Sequence, residues 1–267
     1  MYLAIYYTNR TYIFLVEVTG WADMTHKTKG IVLRAVKYGE TSLIVTIFTE
    51  LFGVQTYMVN NVRTSKQASS KAAYFQPVSI LELEVYHNAQ KSIQRIKEFK
   101  WASLYQHLLS NVIKNSIASY MVELLQKSLK QPETNTDLFY FCEDALLQLD
   151  TATKPVTANF ALYFALHLAH FLGFRINDDY NEEQTILDLA EGNFVTERPT
   201  HLNFLEGEYA LITSQLLKVM QPNELEHFKL NQESRRKLLL HYEDYYALHI
   251  QDFGKMKTLA TLYGVLS

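Results

Sequence analysis

Apolar and polar positions follow two different periods along this chain. Before about residue 102 the pattern is short and β-like. Ile31-Val32-Leu33 and Leu43-Ile44-Val45-Thr46-Ile47-Phe48 are rich in β-branched residues and bounded by glycine or polar turns. This predicts strands over 30–36 and 42–49, with a turn at Tyr38-Gly39-Glu40-Thr41. Gly53 breaks the run, and 54–59 reads as a third strand. Residues 78–86 alternate: Leu81, Leu83 and Val85 fall on one face, Ile80, Glu82, Glu84 and Tyr86 on the other. A strand with one solvated face has that pattern. Residues 92–101 supply a fifth strand.

From about residue 103 the apolar positions recur at helical spacing. Val112, Ile113, Ile117, Tyr120, Met121, Leu124 and Leu125 mark a first helix, ended by Pro132. Asn135 or Thr136 is placed to cap the next, which runs through Phe139, Cys142, Leu146 and Leu149. Pro155 opens a third over 156–174, apolar almost all round and therefore central, with Gly173 near its C-terminus. Residues 175–205 are polar, with acids at 178, 179, 182, 183, 188 and 191, and are expected to be irregular and solvated. Helices resume at about 208–220, 232–250 and 255–266. The fold class expected is α+β and multidomain. A five-stranded OB-fold β-barrel over 24–102 is followed by an α-helical domain over 103–267.

Residues 1–23 are apolar but are interrupted by Arg10 and Glu17, with no basic start and no small-residue cleavage site, so they read poorly as a signal peptide. Met24 opens a polar lead-in to the first strand, and 1–23 are read as a non-native or extra N-terminal extension. No run of 18 uncharged apolar residues predicts a membrane span. The single cysteine, Cys142, excludes a disulfide framework and a cysteine-based zinc site within one chain. The nine glycines are never closer than nine positions, so no phosphate-cradling glycine loop and no nucleophile elbow exists.

The net charge of -3 is unevenly spread. Residues 24–100 carry 11 Lys/Arg and 5 acids, whereas 101–267 carry 13 bases and 21 acids. A basic barrel suits a polyanion. The loop after the third strand holds Arg63, Lys66 and Lys71 without an acid. Phosphate contacts from such residues release counterions and give sequence-independent affinity. Arg34 and Lys37 lie in and after the first strand, where they can line the same groove. Tyr57 either stacks a base or is packed core.

The segment GIVLRAVKYGETSLIVTIFTELFG over 30–53 resembles the opening of RecO, the bacterial recombination-mediator family. Phe75-Gln76-Pro77 leading into Ile80-Leu81-Glu82-Leu83 is similar too, as are Leu172-Gly173-Phe174 and the stretch from Arg235-Arg236-Lys237 to Lys255-Met256-Lys257-Thr258-Leu259. The resemblance implies a cytoplasmic, nucleoid-associated, non-enzymatic DNA repair protein. It implies binding to single- and double-stranded DNA, annealing of complementary strands, and work with RecR to load the recombinase RecA onto DNA coated with single-strand binding protein. The alternative is an OB barrel that only scaffolds other proteins.

Three departures from the family pattern stand out. Residues 173–197 hold no Cys and no His where many members carry a four-cysteine zinc module, so no zinc is expected. Leu162-Tyr163-Phe164-Ala165 lacks the arginines found early in the central helix of many members. Asn61 stands where Gly is frequent, and Asn tolerates a positive φ.

A pocket for the acidic, apolar tail of single-strand binding protein needs a base, and Lys114, Arg175, Lys255 and Lys257 are the candidates; alternatively they offset helix ends and nearby acids. His167 and His170, three apart on a helix, are read as packing rather than metal ligands, as are Glu224-x-x-His227 and Glu84-x-x-His87. Cys142 reads as a small core residue. No cofactor, no metal and no catalytic constellation is expected; whatever the chain does to DNA it does by binding energy.

Overall fold

The computed structural model describes residues 25–62 and 71–265. The N-terminal extension over 1–23, Arg63 and Lys66 lie outside the described residues.

Strands β1 (Thr25–Tyr38), β2 (Ser42–Thr49), β3 (Gly53–Val59), β4 (Ile80–Tyr86) and β5 (Gln94–Trp101) close a barrel in the order β1-β2-β3-β5-β4. Every pairing is antiparallel except β3 with β5, which run parallel through Tyr57↔Gln94 and Met58↔Arg95. β1 begins five residues before the expected strand. Thr25 to Lys29 pair with Tyr86 to Glu82 of β4, and their polar side chains hid them from an apolar pattern. Alternation fills the interior with Val32, Val45, Ile47, Tyr57, Leu81 and Val85, and Phe75 from a short turn of helix joins the same cluster. Asn61 does adopt a positive φ of 58°, as its position in the turn after β3 requires.

Helices α1 (Val112–Ser128), α2 (Thr136–Thr151), α3 (Lys154–Phe171), α4 (Glu208–Leu217), α5 (Gln232–His249) and α6 (Thr258–Val265) follow. The side chains of Asn111 and Asn135 cap α1 and α2 by accepting their first free N–H groups. α3 is central, with twelve buried residues of eighteen. Residues 175–205 correct the expectation of an irregular solvated loop. They carry a three-stranded sheet, β6 (Ile186–Asp188), β7 (Asn193–Val195) and β8 (Phe204–Leu205), in the order β7-β6-β8. Leu187, Leu189, Phe194 and Leu205 are buried beneath it. Asp188 turns the chain by accepting the N–H of Ala190 at 2.7 Å. Strands of two or three residues are too short for periodicity to register.

The barrel and the helices share one core. Ile31, Leu33, Phe48, Val78 and Ile80 point out of the barrel and belong to the same buried cluster as Ile117, Phe139, Cys142 and Phe164. A bulge in β1 between Val32 and Arg34 turns Leu33 toward the helices. Polar contacts cross the same seam. Lys29 Nζ meets both carboxylate oxygens of Glu143 at 2.9 Å, Tyr140 donates to Glu50 at 2.6 Å, and Thr134 donates to the Leu51 carbonyl at 2.9 Å. The Glu143 partner holds the Lys29 ammonium above its ordinary pKa. Gly53, at φ +61°, lies against the backbone of Glu133 in the α1–α2 loop. The change of period near residue 102 thus marks the seam between the barrel and the helices, and the buried core continues across it. Among the described residues no helix is long and apolar enough to cross a membrane.

Candidate nucleic-acid interface

Strand register sorts the bases of the barrel into two groups. On one side, β4 and β5 pair Glu82 with Lys100 and place Glu84 beside Lys97, and both become ion pairs at 2.7 Å. Lys97 holds the Glu84 carboxyl below its ordinary value. With Lys29 bound to Glu143, three of the eleven bases are already neutralised here. A recess of about 430 Å³ on this side is lined by Lys27, Lys29 and Lys100 but also by Glu50, Glu82, Glu84 and Glu98. A polyanion gains little from such a mixture.

The other side differs. The second half of β1, all of β2 and β3, and the start of β5 contain no acid; Glu40 sits in the turn. Register lays out two rows on their outer face. Arg34, Thr46 and Thr56 form one, and Val36, Ile44, Met58 and Arg95 the other. Arg34, Lys37 and Arg95 are exposed, Ile44 and Met58 half-buried. Val36 keeps 43% and Tyr38 52% of its surface. A half-apolar strip edged by arginines offers ring and base faces something to lie on and phosphates something to pair with.

The expected site residues fall as follows. Arg34 lies on this strip; Lys37 is exposed near the end of β1 but pairs with Leu43 and so carries the opposite, inward parity. Lys71 is exposed just before the short helix over Ala73–Phe75. Tyr57 is a correction: it is 0% exposed, faces the barrel interior beside Val45, and cannot stack a base. Burial pushes its phenol well above the ordinary range. The aromatic available to a ligand is Tyr38, and with it Arg95, Ile44 and Met58 were not singled out from the sequence. Tyr38 had a legible signal, an aromatic abutting the Gly39 turn; Arg95 needed the β3–β5 register.

Lys114 is a second correction. It is 7% exposed, and its ammonium donates to the Asp150 carbonyl at 2.7 Å, so no ligand can reach it. Burial lowers its pKa. The Asp150 carboxylate is a structural anchor, accepting the N–H groups of Gln106, His107 and Leu108 at 2.8, 2.8 and 2.6 Å. Burial alone raises the Asp150 pKa, but those three bonds outweigh it and hold the group below its ordinary value. Arg175 is exposed after α3. Lys255 and Lys257 are exposed in the loop before α6, where Glu123 of α1 accepts the Lys257 and Thr258 N–H groups at 2.9 and 2.8 Å. His167 packs tilted against Tyr163 with ring centroids 4.2 Å apart while His170 is exposed, so the pair does not converge. Cys142 is fully buried, and burial pushes its thiol up. Among the described residues no three His, Cys, Asp or Glu side chains cluster as metal ligands.

Comparison with known proteins adds a further line. The family model described as Recombination protein O N terminal matches residues 24–105, and the one described as Recombination protein O C terminal matches 109–259. The chain is 34% identical to a DNA repair protein RecO of Azobacteroides pseudotrichonymphae, over 91% of this chain and 99% of the other. It is 35% identical to proteins of the same name from Bacteroides fragilis, over 90% and 98%, and from Flavobacterium psychrophilum, over 91% and 100%.

Proposed function

The chain belongs to the Recombination protein O family, and from that premise we propose that it acts in DNA repair and recombination by binding DNA on the outer face of β1–β3. The observation that carries the reading is the strip of Arg34, Tyr38, Ile44, Met58 and Arg95 on the second half of β1, β2, β3 and the start of β5, strands that contain no acid there. In barrels of this topology the face of strands 2 and 3, with the loops joining strands 1–2 and 4–5, is where oligonucleotides lie.

The chemistry needs no covalent step. Two complementary strands repel through their phosphates, and a basic strip that neutralises part of one backbone lowers that repulsion until base pairing takes over. Annealing of single strands follows, and duplex binding uses the same cations. Together with RecR, such a protein exposes DNA coated by single-strand binding protein to the RecA recombinase. For the tail of single-strand binding protein, Arg175, Lys255 and Lys257 stay as candidate bases, and Lys114 does not.

Titrating labelled single-stranded DNA at several salt concentrations tests the reading. About 4–6 neutralised phosphates give a log–log salt slope of roughly -3 to -4. The double variant Arg34→Ala/Arg95→Ala should flatten the slope by about 1.4, since each phosphate on a single strand accounts for about 0.7. Affinity unmoved by salt would leave a barrel that only scaffolds proteins.

A further inference from the structure

A cleft of about 550 Å³ opens where the barrel meets the helices. Its barrel wall comes from β3 and the β4–β5 loop, its helical wall from the residues after α1. No residue lining it is acidic, although the helical part of the chain is acidic as a whole. Lys91 stands on the barrel lip and Lys130 on the helical lip, both exposed. Lys130 makes one long contact, 3.4 Å, to the Asp252 carbonyl, which leaves its charge uncompensated by any carboxylate at that contact. Part of the lining is apolar. The Phe52 ring stacks on His87 with centroids 3.9 Å apart and planes 11° from parallel, and Val54, Leu129 and Pro132 adjoin it.

The cleft continues the strip described above. Thr56 belongs to both: it pairs with Thr46 in the row that starts at Arg34, and it lines the cleft. Met58, Thr56 and Val54 follow one another on the outer face of β3, and the last two line the cleft, so strip and cleft are contiguous along this strand. The recess of 430 Å³ across the barrel, with its four glutamates, offers no such route.

We propose that the cleft is the second segment of a single-stranded nucleic-acid track, in which Lys91 and Lys130 hold phosphates and the helical region thereby joins the barrel in binding. The proposal rests on the barrel-face reading. It adds that a short oligonucleotide occupies the strip alone, whereas a longer one reaches Lys130.

The test uses the full chain and oligo-dT of graded length, from about 4 to about 16 nucleotides, the range a barrel of this kind covers. Wild-type and Lys91→Ala/Lys130→Ala protein are titrated over a salt series. Both lysines are exposed, so the variant should unfold at the wild-type temperature. The expected result is a salt slope lower by about 1.4 for the longest oligomers, with the shortest unchanged. A second variant, Ser92→Trp, keeps every charge and obstructs the cleft, and should weaken only the long oligomers. Equal losses at all lengths, or none at any length, would overturn the cleft while leaving the strip intact. Failure of the wild-type chain to bind any oligomer would overturn the strip and the cleft together.

Discussion

The close approach of Gly53 to Glu133 can be turned into a measurement of how rigidly the barrel is joined to the helices. A Cβ on Gly53 would stand 2.8 Å from the Glu133 carbonyl carbon and closer still to its oxygen. Both atoms are backbone, so no side chain can swing away. The α1–α2 loop is itself tied down by the Thr134 hydroxyl on the Leu51 carbonyl. Gly53→Ala thus incurs two costs. The first is an alanine at φ +61°, about 1–2 kcal/mol. The second is displacement of a packed backbone, about 1–3 kcal/mol for overpacking of this kind.

Gly39 supplies the control. Its φ is +58°, nearly the same, but an added Cβ there meets nothing within 4 Å. Gly39→Ala should incur only the first cost. At about 2–4 °C per kcal/mol for a chain of this size, the unfolding temperature should fall roughly 4–20 °C for Gly53→Ala and roughly 2–8 °C for Gly39→Ala, the former always the larger. Scanning calorimetry of the two full-length variants reads the difference directly. Equal shifts would refute the reasoning, because they would mean that the barrel and the α1–α2 loop separate at no cost.

Asp150→Asn leaves the N–H groups of Gln106, His107 and the buried Leu108 facing a weaker acceptor and should destabilise by about 1–3 kcal/mol, read by urea unfolding at neutral pH. Because the folded Asp150 pKa lies below the unfolded one, its contribution is complete above about pH 4 and is lost as pH falls through the folded value; in Asp150→Asn that part of the acid dependence should vanish. Tyr57→Phe should leave DNA affinity unchanged while Tyr38→Ala lowers it by about 1–3 kcal/mol, measured by fluorescence anisotropy; the reverse order would place the stacking face inside the barrel. Glu123→Gln should loosen α6 without moving the barrel, seen as faster amide exchange confined to the N–H groups of Lys257 and Thr258 and their neighbours.

The barrel was legible because inward and outward residues alternate along β2, β3 and β4, and the helices because α1 and α2 repeat their apolar positions every three or four residues. The loop after α3 was not, since Leu187, Phe194 and Leu205 are isolated apolar residues among turns and gain meaning only when brought together. Charge count revealed a basic barrel but not where its bases were usable. Glu82 and Lys100 are eighteen positions apart in sequence and become partners only through the β4–β5 register. Tyr57 was misplaced for a related reason. One step in parity separates the interior from the ligand face, and Met58, its neighbour, took the outward position. Lys114 looked like a surface base on an amphipathic helix, and nothing local announced Asp150, thirty-six residues on, as the group that would enclose it.

The shared core also sets an order of events during synthesis. The barrel leaves the ribosome first, with Ile31, Leu33, Phe48, Val78 and Ile80 turned outward and nothing yet to cover them. Their cover includes Ile117, Phe139 and Phe164, on α1, α2 and α3. At about 5–20 residues per second, the stretch from the end of β5 to the end of α3 takes roughly 4–14 s to emerge. For that interval a nascent β-barrel presents an uncovered apolar flank to water, the kind of transient surface through which growing chains associate.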